Sequence, residues 1–264
     1  MQTDELMRRA QTARDLATRA GVVARSMQRG IEAREKEDGS GPVTAADLAS
    51  EEIILEGLRA EFPDDPIVSE ESGESGTPGR GWVWCVDPLD GTREYAQGRD
   101  DFTVMVGLLY DGVPTVGAVG IPAEERTAWG ALGVGVFVED EPVQVEPLAA
   151  LSDAVVVHSR SHRSDALNEI LARLGPKETQ GFGSAGYKAV RIVTGQAHLY
   201  IHPRHGTKWW DSVAPAALVL ATGGTFADAT MNPIVYEGDR EHRNGLLFAA
   251  PGLEAPLRDS LTRP

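Results

Sequence analysis

Asp87 and Asp90 stand three residues apart in Trp82-Val83-Trp84-Cys85-Val86-Asp87-Pro88-Leu89-Asp90-Gly91-Thr92. The apolar, β-prone residues from Trp82 to Val86 predict a short buried strand. Pro88 has no N–H for a sheet ladder and disfavours helix at Asp87. Asp90-Gly91-Thr92 then turns the chain, with Thr92 placed to cap a short helix beginning near Arg93. Two carboxylates thus fall where a buried strand gives way to a helix N-terminus. Unpaired N–H groups and a partial positive charge there suit a phosphate. Two hard anionic ligands beside an anion site suggest a metal held between protein and phosphate. The plainer alternative is a capped turn with solvated aspartates, but ionised groups at the end of a buried strand need partners.

Three more acids occupy similar junctions. Thr44-Ala45-Ala46-Asp47 opens a helix with capping-box spacing, so capping is an equally simple role for Asp47. Ser69-Glu70-Glu71-Ser72 follows the short strand Ile67-Val68. Asp211 begins an apolar helix through Val213, Ala217, Leu218 and Leu220, where a first-turn acid is also ordinary. Asp47, Glu70, Asp87, Asp90 and Asp211 are all oxygen donors. The histidines lie in other loops, and there is no His-x-x-x-His or Cys-x-x-Cys, a set that selects Mg²⁺ or Mn²⁺ over Zn²⁺. Gathered in one place, five carboxylates could not all stay ionised without a cation.

The elements that would position them follow from periodicity. Residues 4–29 predict an amphipathic helix, and Glu35–Gly41 an exposed charged connection. A second helix buries Leu48, Leu55, Leu58 and Phe62; Gly73–Gly81 reads as a flexible loop. Phe102–Leu109, Val113–Ile121, Thr127–Leu132 and Val134–Val138 read as an antiparallel meander turning at Asp111-Gly112 and Glu139-Asp140. The strand Val155–Val157 opens onto His158-Ser159-Arg160-Ser161-His162-Arg163, a cationic, hydroxyl-rich run in an acidic chain. A helix over Asp165–Leu174 follows, then one capped by Ser184 and carrying Lys188, then the strand Ala197–Ile201. His202–Trp210 reads as a loop in which Trp209 or Trp210 offers either a flat face for a base or simple core packing. After Gly223-Gly224 the tail reads as further short strands such as Leu246–Ala249. Two helices followed by strands is not a regular βαβ alternation.

Composition bounds the partners. The 264 residues carry 25 basic and 40 acidic side chains, a net charge of −15, which opposes docking on nucleic acid or an anionic membrane. A small anionic substrate bound through metal ions is still admitted. Cys85 is the only cysteine and lies in the buried strand, so a reducing cytoplasm fits. No apolar run approaches the roughly 18 residues of a membrane span, so neither signal peptide nor anchor is expected. A homodimer is left open.

Asp87-Pro88-Leu89-Asp90-Gly91-Thr92 resembles the signature of the inositol monophosphatase superfamily of Mg²⁺-dependent, lithium-sensitive phosphatases. Thr44-Ala45-Ala46-Asp47, Ser69-Glu70-Glu71-Ser72 and Trp210-Asp211-Ser212-Val213-Ala214 resemble other motifs of that superfamily, in the same order along nearly the whole chain. The resemblance implies an α+β fold, a layered αβαβα sandwich. It would be a single phosphatase unit with an α+β half over about 1–150, an α/β half over about 151–264, and the active site between them. It implies metal ligation by Glu70, Asp87, the Leu89 carbonyl, Asp90 and Asp211. Asp47, Glu70 and Thr92 would orient a metal-activated water, and the Gly91 and Thr92 N–H groups would hold phosphoryl oxygens.

Arg93-Glu94-Tyr95, Gly183-Ser184 with Lys188, and Ser159-Arg160-Ser161-His162 resemble the 3′(2′),5′-bisphosphate nucleotidase branch, of CysQ type, which is tied to sulfur assimilation. That branch implies hydrolysis of 3′-phosphoadenosine 5′-phosphate to AMP. Ser159, Arg160, His162, Ser184 and Lys188 would contact the second phosphate and nucleoside. His202 stands near where inositol monophosphatases place a substrate-binding glutamate, which argues against an inositol phosphate. The alternatives are an inositol- or sugar-phosphate phosphatase of the same superfamily and a non-catalytic Mg²⁺ and nucleotide-binding protein.

Overall fold

The computed structural model describes residues 3–37, 39, 41–76, 80–161 and 163–262. His162, among the expected substrate contacts, lies outside the described residues. The elements run α1 (Thr3–Met27), β1 (Arg34–Glu35), β2 (Pro42–Val43), α2 (Ala45–Glu61), β3 (Ile67–Ser69), β4 (Gly73–Ser75), β5 (Trp82–Asp90) and α3 (Thr92–Ala96). The meander follows as β6 (Thr103–Tyr110), β7 (Val113–Ile121), β8 (Arg126–Ala131), β9 (Gly135–Val138) and β10 (Glu141–Val143). Next come β11 (Val155–Ser159), α4 (Asp165–Leu174), β12 (Glu178–Phe182), α5 (Ala185–Val193), β13 (Leu199–His202) and β14 (Thr207–Lys208). The chain ends with α6 (Trp209–Ala221), β15 (Thr225–Ala227), β16 (Glu241–His242), β17 (Leu246–Ala249) and α7 (Glu254–Thr262).

Five layers stack as α, β, α, β, α. An eight-stranded sheet in the order β10-β9-β8-β7-β6-β5-β3-β4 is antiparallel except where β3 runs parallel to β5. Its strands alternate, as a period of two requires. Trp84, Val86, Val104, Val106 and Leu108 face α1 and α2. Met105 and Val119 on the other face pack with Ala189 of α5 and Ala214 and Leu218 of α6. The five-stranded sheet, β12-β11-β13-β17-β15, repeats the logic. Val157, Tyr200 and Phe248 meet the α5–α6 layer, while Val156, Leu199 and Leu247 pack under Leu167 and Leu171 of α4 and Leu257 of α7.

The middle layer sits close because glycines let it. A Cβ at Gly107 or Gly117 would collide with the backbone of Ala214, so β6 and β7 receive α6 only without side chains there. Helix α6 therefore touches both sheets at once.

Several local expectations change. Leu48 is exposed, because the first turn of α2 faces solvent there; Leu55, Leu58 and Phe62 are buried as expected. Gly73–Ser75 forms an edge strand on β3 within the expected loop. The tail closes in a helix, α7, whose Leu257 fills the outer core with Leu261 packed beside it.

Candidate active site

Strand β5 does not stop at Val86 but runs to Asp90 through an irregularity. Asp87 pairs opposite Met105 and Asp90 opposite Thr103, so β5 advances three residues while β6 moves two. Residues three apart on a regular strand face opposite ways; one extra residue in a bulge restores them to the same side. Pro88, unable to serve a ladder, sits within that bulge. The bulge is what turns the Asp-x-x-Asp spacing into a pair.

Asp211 completes the cluster from the far end of the chain. It lies in the first turn of α6, where its Oδ2 accepts the Lys208 N–H, so the expected first-turn role is real. The packing of α6 on β5 and β6 carries it to the two strand acids. Asp87, Asp90 and Asp211 each offer a carboxylate oxygen, and these lie within 4.8 Å of one another. The Glu70 N–H donates to the Val86 carbonyl at 3.1 Å, which places Glu70 next to Asp87.

Each acid is held by neutral donors or by one cation. Asp90 Oδ2 accepts from Ser184 Oγ, from the Gly186 N–H at 2.8 Å and from Thr103 Oγ1 at 3.4 Å. Asp87 Oδ1 accepts the Leu89 N–H at 3.1 Å. Glu70 and Glu71 share Lys36, each 2.8 Å from its Nζ. Asp47 caps α2 as expected and also reaches Thr92. Its Oδ2 takes the Thr44 N–H and hydroxyl in a capping box, and its Oδ1 lies 3.1 Å from Thr92 Oγ1. Thr92 is the first residue of α3 rather than its cap. Its hydroxyl proton is shared between Asp47 Oδ1 and the Leu89 carbonyl, both at 3.1 Å. Gly91 takes the capping position at φ 94°, a conformation that a side chain strains.

Crowded burial dominates the electrostatics. Burial, then the charges of Glu70, Asp90, Asp211 and Asp47, push the Asp87 carboxyl well above its ordinary value. Burial followed by Asp90 and Glu70 does the same for Asp211. Burial raises Asp90 against the opposing charge of Lys188, and raises Glu71 to about 7. Like charges this close need a compensating cation. Three convergent carboxylates with no sulfur or imidazole among them fit a hard divalent ion.

A cavity of about 290 Å³ opens over the cluster. Glu70, Asp90, Thr92 and Asp211 form its acidic wall, and Ser159, Ser161, Lys188 and His202 line it elsewhere. Lys188 is buried, and its Nζ donates to the carbonyls of Gly183 and Ser184 at 2.5 and 2.7 Å, 4.7 Å from the Tyr200 ring centre. Burial lowers its pKa to about 8, against the pull of Asp90 and Glu94.

Two expected substrate contacts do not reach this cavity. Ser184 is wholly buried, with its hydroxyl committed to Asp90, Thr103 and the Tyr187 N–H. Arg160 turns to Asp101 at 2.7 Å and to the Gly181 carbonyl. The tryptophans take the packing alternative. Trp209 is buried edge-on against Tyr236, Trp210 packs against the same cluster, and neither lines the cavity. Lys36 was not singled out from sequence, and Glu94 was named only within the Arg93-Glu94-Tyr95 motif, without a role of its own. Lys36 sits in a charged run that signals only exposure, whereas Glu94 follows the signature directly and accepts Ser161 Oγ at 2.8 Å.

The inositol monophosphatase family profile matches residues 5–257. The 3′(2′),5′-bisphosphate nucleotidase CysQ of Salmonella typhimurium is 39% identical over 204 residues, covering 75% of this chain and 80% of its own. The human 3′(2′),5′-bisphosphate nucleotidase 1 is 28% identical over 294 residues, covering 96% and 92%. The structure of an inositol monophosphatase from Anabaena superposes with a TM-score of 0.82 at 28% identity, covering 97% of this chain and 96% of that one.

Proposed function

The chain belongs to the inositol monophosphatase family, and from that premise we propose that it hydrolyses the 3′-phosphate of 3′-phosphoadenosine 5′-phosphate to AMP and phosphate. The observation that carries the chemistry is the meeting of Asp87, Asp90 and Asp211 under a cavity with Lys188 on its wall. The likeness to two bisphosphate nucleotidases directs the choice of substrate.

Glu70, Asp87, the Leu89 carbonyl, Asp90 and Asp211 would hold Mg²⁺, with Mn²⁺ as substitute, which supplies a Lewis acid and neutralises phosphate charge. The side chains supply the rest. With its proton on the side of Asp47 Oδ1, Thr92 Oγ1 turns its lone pairs outward to accept a hydrogen bond from water. Glu70, steadied by Lys36, is a second acceptor for that water. The Gly91 and Thr92 N–H groups donate to phosphoryl oxygens and favour the charge that builds there. The water oxygen bonds to phosphorus in line, the bond to O3′ breaks, and the proton that water loses is balanced by one gained at O3′. Lys188 and Ser159 remain the residues of the expected set that face a second phosphate, and Ser161 joins them.

The division into halves at about residue 150 belongs to this proposal, since both contribute walls. So do a cytoplasmic location, lithium inhibition and a role beside sulfur assimilation. Among the described residues no helix is long and apolar enough to cross a membrane. Phosphate release measured on 3′-phosphoadenosine 5′-phosphate, inositol 1-phosphate and fructose 1,6-bisphosphate, with Mg²⁺, Li⁺ or EDTA, tests the reading. The nucleotide should lead in kcat/KM, and EDTA should abolish turnover. A preference for inositol 1-phosphate would move the chain to the other branch, and full activity in EDTA would remove the metal.

A further inference from the structure

Asp87 and Asp90 share one bulged strand, but Asp211 comes from another element and needs its own placement. The groups around it supply one. β14 and β16 pair antiparallel, Thr207 opposite His242 and Lys208 opposite Glu241, so the His242 ring lies beside the start of α6. His242 is buried at 5% exposure. Its Nε2 lies 2.7 Å from Ser212 Oγ, and the ring also hydrogen-bonds the Lys208 backbone. The Tyr236 hydroxyl lies 2.9 Å from the same Ser212 oxygen. Lys208 caps α6 and gives its N–H to Asp211, while Ser212 is the next residue along. One imidazole therefore grips the chain on both sides of Asp211.

We infer that His242 is a positioning residue for Asp211, acting with Ser212 and Tyr236 as a buried polar clasp on the first turn of α6. The Ser212–His242 pair looks like a nucleophile and its base, but Ser212 is fully buried and reaches no substrate. Burial lowers the His242 pKa to about 4, so at neutral pH the ring is uncharged, with one nitrogen to donate and one to accept. The partners fit that state: Tyr236 donates to Ser212, the Ser212 hydroxyl proton is shared between one ring nitrogen and the Trp209 carbonyl, and the other nitrogen meets the Lys208 backbone. A phenylalanine would fill the space, yet only directed hydrogen bonds fix the rotation of the turn that aims Asp211.

The inference rests on the reading that the acidic cluster binds a divalent ion, and Mn²⁺ titration calorimetry on the full chain tests it without an activity assay. Removing the outer support of a metal ligand characteristically weakens binding about 10- to 100-fold. His242→Phe should fall at the low end, about 10-fold weaker. His242→Gln, which keeps one donor and one acceptor, should return close to wild type. Ser212→Ala combined with His242→Phe should lose no more than the worse single variant, because both break one network. Leu171→Ala, in the distant α4 core, should lower Tm and leave Mn²⁺ affinity alone. Wild-type affinity in His242→Phe, or affinity that tracks Tm across all variants, would overturn the inference. Should His242→Phe not fold, Ser212→Ala and Tyr236→Phe carry the same comparison. Wild-type protein that binds no Mn²⁺ would remove the metal reading and the inference together.

Discussion

Asp90, on the acidic wall of the cavity, commits a single carboxylate oxygen to Ser184, Gly186 and Thr103, whereas Ser161, elsewhere in the lining, is exposed and bonds Glu94. The contrast holds throughout the lining. Asp47, Asp87 and Asp211 all take backbone N–H groups at junctions between elements, so the fold itself aims them. The rest of the lining is made of Ser159 and His202 at strand ends, of Ser161 in a loop, and of Lys188, which is tied to two carbonyls. Carboxylates fixed by backbone at element junctions are harder to vary than side chains at strand ends and in loops, so a site built this way can keep its chemistry while its substrate changes.

The largest way to break this comparison is to remove a charge from the fixed wall. Asp90→Asn keeps the shape but turns an amide donor toward Ser184 and Gly186. Lewis-acid stabilisation is worth several kcal/mol, so kcat should drop about 1000-fold and the Mg²⁺ requirement should rise. Steady-state rates across a Mg²⁺ titration check this; an unaltered rate would show that the cluster is not the reacting wall. Thr92→Ala comes next. Loss of a water-orienting group should lower kcat about 100-fold with KM unchanged, and Thr92→Ser should restore much of it. A rise in KM alone would make Thr92 a binding residue instead.

Lys188→Ala sharpens the boundary between the fixed wall and the rest of the lining. A charge-assisted contact contributes about 2 kcal/mol, so kcat/KM for the bisphosphate should fall about 30-fold and that for a monophosphate much less. Equal losses on both would assign Lys188 to the fixed wall, as the ammonium that holds the Gly183-Ser184 turn beneath Asp90.

How far the sequence reached follows the same division. Asp87, Asp90 and Asp211 were legible because each stands where a β-prone or apolar run changes period, and such junctions show in the residues themselves. The bulge that aligns Asp87 with Asp90 was not legible: Pro88 marks an interruption but not which face the next residue takes. Thr92 and Trp209 show the second limit. A hydroxyl next to glycine reads as a cap, and a tryptophan in a cationic loop reads equally as a base platform or as core. Only the packing of Asp47 near Thr92 and of Tyr236 against Trp209 decides. Lys36 lay beyond reach, since its partners Glu70 and Glu71 are brought to it by tertiary structure alone.

The smallest expected effect compares the fixed wall with itself, with and without its cation. Asp87, Asp90, Asp211 and Glu71 all have carboxyl groups raised above their ordinary values, burial leading in every case. In the metal-free protein the folded state then holds more protons than the unfolded chain above about pH 4. Stability contributed by these groups is full below that pH and is lost as pH rises through the raised values, near 7 for Glu71. A cation binds the ionised carboxylates and reverses that loss, so its benefit must grow with pH. Ion at about 100 times its Kd stabilises by roughly 2.7 kcal/mol, which for a chain of this size is on the order of 5 °C in Tm. Melts in EDTA and in Mg²⁺ should therefore separate by about that much at pH 8 and converge toward pH 5. A gap that is equal at both pH values would mean that the carboxylates are ionised without the metal, and that backbone donors alone hold the wall together.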